Sequence, residues 1–179
     1  MEKRITVPYF SQYRDLQDKY FALTSCGMVS LYMVLQYFHE QKNITVSQKI
    51  EEMVTIGRET INGYRPGIGW VHDYFVKIAQ SLGLHSYRRE KIDSFEEIQS
   101  SLEMNNPVII SVERRCLSII SLHMIVLVGF EINENKEIVR FYYHDPAALE
   151  EKDGANRSCT KDSLIQFWRA KAIFFSPSA

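Results

Sequence analysis

The sequence predicts an α+β domain in which a helical half precedes most of a sheet-forming half. The first observation is the run MVSLYMVLQYF from Met28 to Phe38, which is apolar at nearly every position and has no glycine or proline. A helix that is apolar on all sides belongs in the centre of a core. The second observation is a change after Asn105-Asn106-Pro107, beyond which the apolar runs are rich in β-branched and aromatic residues, as in an antiparallel sheet.

Length and composition indicate one globular domain. The chain has 179 residues, of which 45% are hydrophobic and 12% aromatic, and its formal net charge is -1. The balance of 21 basic and 22 acidic residues gives no sign of a nucleic-acid partner, and Arg88-Arg89 and Arg114-Arg115 are interpreted as solvated surface. No signal peptide or apolar run of about 20 residues is visible, so we expect a cytoplasmic protein without a membrane span.

The helical half is expected to cover about residues 13–105. Its central helix begins near Cys26, with Ser25 or Thr24 as a possible N-cap. A second helix is predicted from Ser47 to about Val54, followed by a glycine-rich loop from Gly57 to Gly69. The next helix has Trp70, Tyr74, Ile78 and Leu82 on one face, and a strand follows it from Leu84 to Tyr87. A last helix in this half is predicted from the capping-box pattern Ser94-Phe95-Glu96-Glu97.

The sheet half is expected to cover about residues 1–12 and 106–179. The predicted strands are Arg4 to Val7, Val108 to Val112, Leu122 to Ile132, Glu137 to Tyr143 and Ala172 to Phe175.

His123 and Asp145 are placed symmetrically about the turn between two of these strands. Each lies 11 residues from Glu134, since 134 − 123 and 145 − 134 are both 11. If the hairpin is centred there, the two residues are directly cross-strand, with Cβ atoms about 4.5 to 5.5 Å apart on one face. A carboxylate on one ring nitrogen fixes the tautomer of a histidine and leaves the other nitrogen free as a base. A slip of one residue would separate them onto opposite faces.

Cys26 is the candidate nucleophile. At a helix N-terminus a thiolate meets unpaired backbone N–H groups, and a neighbouring imidazolium lowers the thiol pKa further. Gly27 is interpreted as leaving room for a substrate carbonyl beside the cysteine, and Gln12 or Gln17 as a side-chain amide donor to an oxyanion. Taken alone, however, a cysteine at a helix start is more often a buried structural residue.

The remaining candidates are weaker. The three cysteines form no C-x-x-C pair, so neither a disulfide framework nor a metal site is expected, and Cys159 is interpreted as an ordinary thiol in a polar loop. Cys116 has no base near it in sequence. Tyr64 and Trp70, in the loop from residue 62 to residue 70, could border a cleft and touch substrate, although a packed surface loop explains them equally well. The structural interpretation is preferred for His72, His85 and His144.

Four segments, in order, resemble the bacteriocin-processing (double-glycine leader) peptidase-like family of the papain-like cysteine peptidase superfamily. They are VPYFSQ, SCGMVSLYMVLQYF, LHMIVLVGFE and YYHDPA, and the later segment TKDSLIQFW resembles the final helix of the family. The resemblance implies a papain-like fold, in which a helical lobe with a central buried helix packs against an antiparallel sheet lobe. Met28 departs from the family, which often has proline or another small residue there.

The resemblance also implies roles for single residues. It assigns Cys26 as nucleophile, His123 as base, Asp145 as orienting acid and Gln12, in preference to Gln17, as the oxyanion donor. The implied activity is that of a cysteine peptidase or amidase without a cofactor, acting on a peptide or amide through a thioester acyl-enzyme. Two alternatives stay open: transfer of the acyl group to an amine or thiol, and a non-catalytic peptide-binding module. Cleavage of leader peptides after Gly-Gly is an analogy with family members that are fused to transporters.

Overall fold

The computed structural model describes residues 1–42, 44–60, 63–116 and 119–178, with the backbone alone at residues 42, 115, 116, 119 and 120. Its helices are α1 Lys19–Ala22, α2 Cys26–Lys42, α3 Ile50–Glu59, α4 His72–Ser81, α5 Glu96–Glu103, α6 Glu151–Gly154 and α7 Lys161–Phe167. Its strands are β1 Glu2–Arg4, β2 Tyr64–Arg65, β3 Gly69–Trp70, β4 Leu84–Glu90, β5 Val108–Cys116, β6 Ile119–Ile132, β7 Ile138–His144, β8 Arg157–Thr160 and β9 Trp168–Pro177.

The main sheet is antiparallel and has the strand order β4-β9-β5-β6-β7-β8. The short strand β1 pairs with Gly129 to Glu131 of β6, beyond Leu127, the last β6 residue that β5 reaches. Strands β2 and β3 form a separate small hairpin. Within the described ranges, no helix is both long enough and apolar enough to span a membrane.

The predicted central helix is confirmed. Helix α2 begins at Cys26, and its side chains from Met28 to Leu35 are buried except for that of Tyr32. It packs against β6, where the Ser30 hydroxyl donates to the carbonyl of Met124 at 3.3 Å. The apolar pattern all round the helix is therefore explained by its position between the sheet and the other helices.

The predicted side-chain cap of α2 does not form. The Ser25 hydroxyl is buried and has no hydrogen-bond partner among the residues that the structure describes, and the Thr24 hydroxyl accepts a hydrogen bond from Arg58 instead. Neither hydroxyl thus occupies the backbone N–H groups at the start of α2.

The hairpin of β6 and β7 has a different register from the predicted one. Val126 pairs with His144, and two irregularities follow towards the turn. One step further, this register places Asp145 beside Ile125, two residues from His123. The predicted direct pairing of His123 with Asp145 is therefore wrong by two residues, but an even offset leaves both side chains on the same face of the sheet.

Other boundaries also differ from prediction. Strand β4, which the sequence placed in the helical half, is an edge strand of the main sheet, because it pairs with β9 along its whole length. Gly57 belongs to α3 rather than to a loop, and Trp70 lies in β3 before α4 begins. The capping box at Ser94 does not form, since α5 begins at Glu96 without a side-chain cap. Cys159 lies in β8, not in a loop, and is half-buried.

Candidate active site

Cys26 lies at the first position of α2 and contacts the sheet through its sulfur. The thiol hydrogen-bonds the ring of His123, and the backbone N–H groups of Met124 and Gly27 also point to the sulfur. Burial by itself would raise the pKa of this thiol, but the hydrogen bond and charge of His123, with the two N–H groups, outweigh burial and lower the pKa. The sulfur is therefore poised to be a thiolate.

His123 stands between Cys26 and a carboxylate. Its side chain is only 5% exposed, and its Nε2 lies 2.7 Å from Oδ1 of Asp145. Because Nε2 is bonded to Asp145, the other ring nitrogen, Nδ1, is the one that forms the hydrogen bond with the Cys26 thiol. Burial opposes protonation of this ring, yet the bonds to Asp145 and Cys26 raise its pKa to about 9. The pair thus favours a thiolate beside an imidazolium.

Asp145 follows β7 and is fixed on several sides. Its Oδ1 also accepts the backbone N–H of Ala147 at 2.9 Å, and its own backbone N–H donates to the carbonyl of Gly154 at 2.8 Å. Although burial opposes ionisation, the hydrogen bond and charge of His123 lower the pKa of the carboxyl group to about 2. A carboxylate held in this way stabilises the imidazolium and fixes the plane of the ring.

Arg157 is a site residue that the sequence reasoning missed. Its Nη1 lies 3.4 Å from Oδ2 of Asp145, the oxygen that His123 does not use. Arg157 reaches this position because β8 pairs antiparallel with β7, which sets it opposite Tyr143. No sequence signal pointed to it, since β8 was read as part of a polar loop and its pairing with β7 was not foreseen.

Gln12 is buried in the segment between β1 and α1. Its Nε2 donates to the carbonyl of Ala22 at 2.6 Å, and its backbone N–H donates to the carbonyl of Pro146 at 2.8 Å. Within the described part of the chain, its Oε1 has no hydrogen-bond partner. The hydrogen bonds of Gln12 tie it to Ala22 of α1 and Pro146 beside Asp145, the two segments that flank the site. Gln17, the other candidate amide, is exposed, and its backbone N–H donates to Glu51.

The expected opening beside Gly27 is not present. Gly27 is buried, and a Cβ at this position would lie 2.8 Å from the sulfur of Met124 and 2.8 Å from the ring of Phe75. The space next to this glycine is filled by protein, so the interpretation that it leaves room for a substrate carbonyl is wrong. Glycine is required here for the close packing of α2 on β6 and α4.

A cleft of about 620 Å³ opens in front of Cys26 and His123. Tyr64 and Trp70 both line it, their rings 5.3 Å apart and edge to face. The indole N–H of Trp70 donates to the carbonyl of Thr24 at 2.7 Å, which fixes the small β2–β3 hairpin against the segment before Cys26. The two aromatic residues proposed to contact substrate thus form one wall of this cleft.

The other histidines differ in position. His144 is buried and points away from Asp145, with Nε2 2.9 Å from the carbonyl of Val7 and Nδ1 accepting the backbone N–H of Asn156. His72 lines the cleft, and its structural interpretation stays a prediction. The side chain of Cys116 lies outside the described part of the chain, so the interpretation of that thiol stays a prediction.

These features define the class of the protein. A cysteine at the head of a buried helix, facing a histidine and a carboxylate on an antiparallel sheet, is the arrangement of the papain-like fold. The sequence profile of the Peptidase_C39 like family matches residues 4–172, and the chain belongs to this family. The predicted family and the predicted α+β papain-like fold are both confirmed.

Solved structures with the same fold agree with this placement. A double glycine motif protease from an AMS/PCAT transporter, in complex with the leader peptide, has 20% identity and a TM-score of 0.59, over 98% of this chain and 95% of that one. The peptidase domain of Streptococcus ComA, a bifunctional ABC transporter in a quorum-sensing pathway, has 18% identity and a TM-score of 0.58, over 98% of both chains.

A more distant likeness extends to UfSP from C. elegans, with 12% identity and a TM-score of 0.59, over 99% of this chain and 34% of that one. At these identities the likeness concerns the fold. No curated protein is significantly similar to the chain in sequence.

Proposed function

We propose that the protein is a cysteine peptidase that hydrolyses a peptide or amide bond, with Cys26 as nucleophile, His123 as acid and base, and Asp145 as the orienting carboxylate. The observation that carries the proposal is the continuous hydrogen-bonded chain from the Cys26 thiol through the His123 ring to the Asp145 carboxylate. Membership of the Peptidase_C39 like family supports the same reaction class. A thiolate beside an imidazolium is the reactive form of a cysteine nucleophile.

In the first half of the proposed reaction, the thiolate attacks the substrate carbonyl carbon and the carbonyl oxygen becomes an oxyanion. His123 then gives its proton to the amine as the C–N bond breaks, which leaves a thioester on Cys26 and a neutral imidazole. In the second half, the imidazole removes a proton from water and the hydroxide attacks the thioester. The C–S bond then breaks, which releases the acid product and restores the thiolate of Cys26. Asp145 stays ionised throughout, because its pKa is about 2.

The oxyanion requires donors that face the reacting carbon. We assign the backbone N–H of Cys26, which starts α2, and the side-chain amide of Gln12 to this role. The Gln12 Nε2 carries two hydrogens, of which one is donated to Ala22, so the second is available to an oxyanion. The absence of a side-chain cap at Ser25 and Thr24 supports the assignment, because neither hydroxyl competes for the first N–H groups of α2.

The proposed substrate is a peptide. The double glycine motif protease of similar fold was solved with a leader peptide bound, and the cleft of this chain offers the aromatic wall of Tyr64 and Trp70 for an extended chain. We propose that these two side chains contact substrate residues next to the scissile bond. Gly27 contributes through packing only.

The test compares two variants, in each of which one of the three cysteines is replaced by alanine. Mass spectrometry of a mixed peptide library should show cleavage by the wild type and by Cys159→Ala, the matched control in β8, and a loss of at least about 10³-fold for Cys26→Ala. An acyl-enzyme should appear as a mass increase on the wild type and on Cys159→Ala, but not on Cys26→Ala. Equal cleavage by wild type and Cys26→Ala would overturn the nucleophile assignment, and products carrying an added amine would instead assign acyl transfer.

A further inference from the structure

Strand β9 has a strained irregularity beside the cleft. Residues 110 and 112 of β5 pair with residues 172 and 168 of β9, so three residues of β9 lie opposite Ser111 alone. The middle one, Ala170, has φ of 52°, in the left-handed region that non-glycine residues seldom adopt. Bulges of this kind change the direction of side chains and are frequent next to active sites.

The residues on either side of Ala170 both reach the cleft. Arg169 and Lys171 line it, as does Arg88 from the neighbouring strand β4. We call Arg88, Arg169 and Lys171 the basic wall of the cleft. Arg88, interpreted from the sequence as solvated surface, therefore faces the same cleft as Cys26.

The basic wall carries an excess of positive charge. Arg88 is paired with Asp73 and Glu90, and Lys171 lies 3.3 Å from the same Glu90. Arg169 makes no ion pair with any residue that the structure describes, although it is only half-exposed. The wall thus holds three cations against two carboxylates, and Arg169 is the cation left over.

The charges of the basic wall act on the ring of His72, which lines the same cleft. The pKa of its ring is lowered to about 4, first by burial and then by the charges of Lys171 and Arg88; Glu90 opposes this shift, and the charge of Arg169 adds a smaller lowering. The ring is therefore neutral at physiological pH, and its Nε2 lies 3.0 Å from the Ser111 hydroxyl. His72 and Ser111 are therefore two neutral groups in the cleft, beside the basic wall, that can form hydrogen bonds.

We propose that the basic wall is a substrate subsite that binds a carboxylate of the peptide, with Arg169 as the specificity-determining residue. The proposal rests on the peptidase function proposed above and adds the chemical class of the substrate residue. An arginine fork matches a carboxylate in geometry, and a charge-assisted hydrogen bond in a half-buried cleft discriminates strongly against the neutral amide. The bulge at Ala170 turns Arg169 towards this position.

The experiment profiles cleavage of a randomised peptide library with amidated C-termini. Wild type should prefer Asp and Glu over Asn and Gln at one position by roughly tenfold, and Arg169→Gln should lose that preference, so that it cleaves acidic and amide-containing peptides at equal rates. The matched control is Arg89→Gln, an exposed residue of β4 that pairs with Glu97 outside the cleft and should keep the preference. The proposal would be overturned if Arg169→Gln retained the acidic preference, or if the wild type preferred neither acidic residues nor free over amidated C-termini.

A binding measurement separates failure of the subsite from failure of the peptidase function. Fluorescence anisotropy with Cys26→Ala should show roughly tenfold tighter binding of an acidic peptide pool than of its amide-matched pool, and adding Arg169→Gln should remove the difference. Cleavage without preference for any carboxylate, side-chain or terminal, refutes the subsite alone, whereas acidic binding without cleavage refutes the peptidase alone. A second library with free C-termini distinguishes a terminal carboxylate from a side chain, and Arg169→Lys, which keeps the charge, controls for misfolding.

Discussion

Asp145 on the sheet side of the site and Gln12 on the helix side are both buried, yet they are held very differently. The Asp145 carboxylate accepts hydrogen bonds from His123 and the backbone of Ala147, and Arg157 approaches its second oxygen. Among the described residues, the Gln12 side chain has one hydrogen bond, to Ala22, and its Oε1 has none.

The difference follows from charge. A buried carboxylate must be compensated, or it would take up a proton and lose its effect on the histidine. A neutral amide costs much less when one of its atoms stays unpaired. The sheet side is therefore a cooperative network in which removal of one member changes the protonation of the others, whereas the helix side contributes separate donors. The variants below test this contrast.

Replacement of His123 should have the largest effect. His123→Ala removes both the base and the charge that stabilises the thiolate, so kcat/KM should fall about 10³-fold. Because burial alone raises the thiol pKa, the reaction of Cys26 with iodoacetamide at pH 7 should also slow. The exposed His85 on β4 provides a matched control, and His85→Ala should leave both rates unchanged. An alkylation rate that is insensitive to His123→Ala would contradict a network on the sheet side.

Asp145→Asn should reduce kcat/KM by about 10²-fold and also change the pH profile. The imidazolium is charged below its pKa, and the carboxylate stabilises this charged form, so the wild-type rate should fall as pH rises through about 9. Without the carboxylate the pKa of His123 drops, and the alkaline limb should move to lower pH. Arg157→Gln leaves the Oδ1 contact intact, so it should move the same limb less. An unchanged limb in Asp145→Asn would show that the network does not set this pKa.

Gln12→Ala should lower kcat by about 10²-fold with little change in KM, because it removes one donor to the transition state. The exposed Gln17 provides the comparison, and Gln17→Ala should retain wild-type kinetics. The reaction of Cys26 with iodoacetamide should be unchanged in both variants, since neither amide belongs to the network on the sheet side. Equal kinetics for the two variants would remove Gln12 from the site.

Gly27→Ala should act mainly on stability, with a loss of about 1 to 3 kcal/mol in the free energy of unfolding measured by urea denaturation. The added methyl group meets the Met124 and Phe75 side chains at 2.8 Å. In the Phe75→Leu background the same substitution should cost less, because a smaller side chain relieves part of the overlap. Additive effects of the two substitutions would contradict the packing explanation.

Much of the fold could be predicted because it depends on local pattern. The apolar run after Cys26 gave the central helix, and the β-branched runs gave the strands of the sheet half, since burial in a helix or a sheet leaves its period in the sequence. The resemblance in the four quoted segments gave the family and the papain-like fold. Predictions of a cytoplasmic location, of a function without cofactor and of no nucleic-acid partner concern properties that the fold does not test, and they stay predictions.

The wrong predictions concern features that depend on pairing or packing between segments far apart in the sequence. The register of β6 with β7 was missed by two residues because irregularities in the hairpin are invisible in a count from the turn. One of them lies between Leu127 and Gly129, and a Cβ at Gly129 would overlap the carbonyl of Lys3 in β1, a contact between residues far apart in sequence. For the same reason the local pattern of β4 does not reveal its pairing with β9, and the sequence around Gly27 does not show that Phe75 covers this glycine.

The sequence by itself determined which residues could carry the chemistry: a cysteine at the start of an apolar helix, a histidine and an aspartate on neighbouring strands, and an upstream glutamine. These assignments depend only on residue type and on the local spacing of apolar residues in the sequence. Only the tertiary structure decided that Nε2 of His123 meets Asp145, that Arg157 approaches the other oxygen, and that a bulge turns Arg169 into the cleft. Those contacts depend on strand register and on strained backbone, which arise from packing across the whole chain.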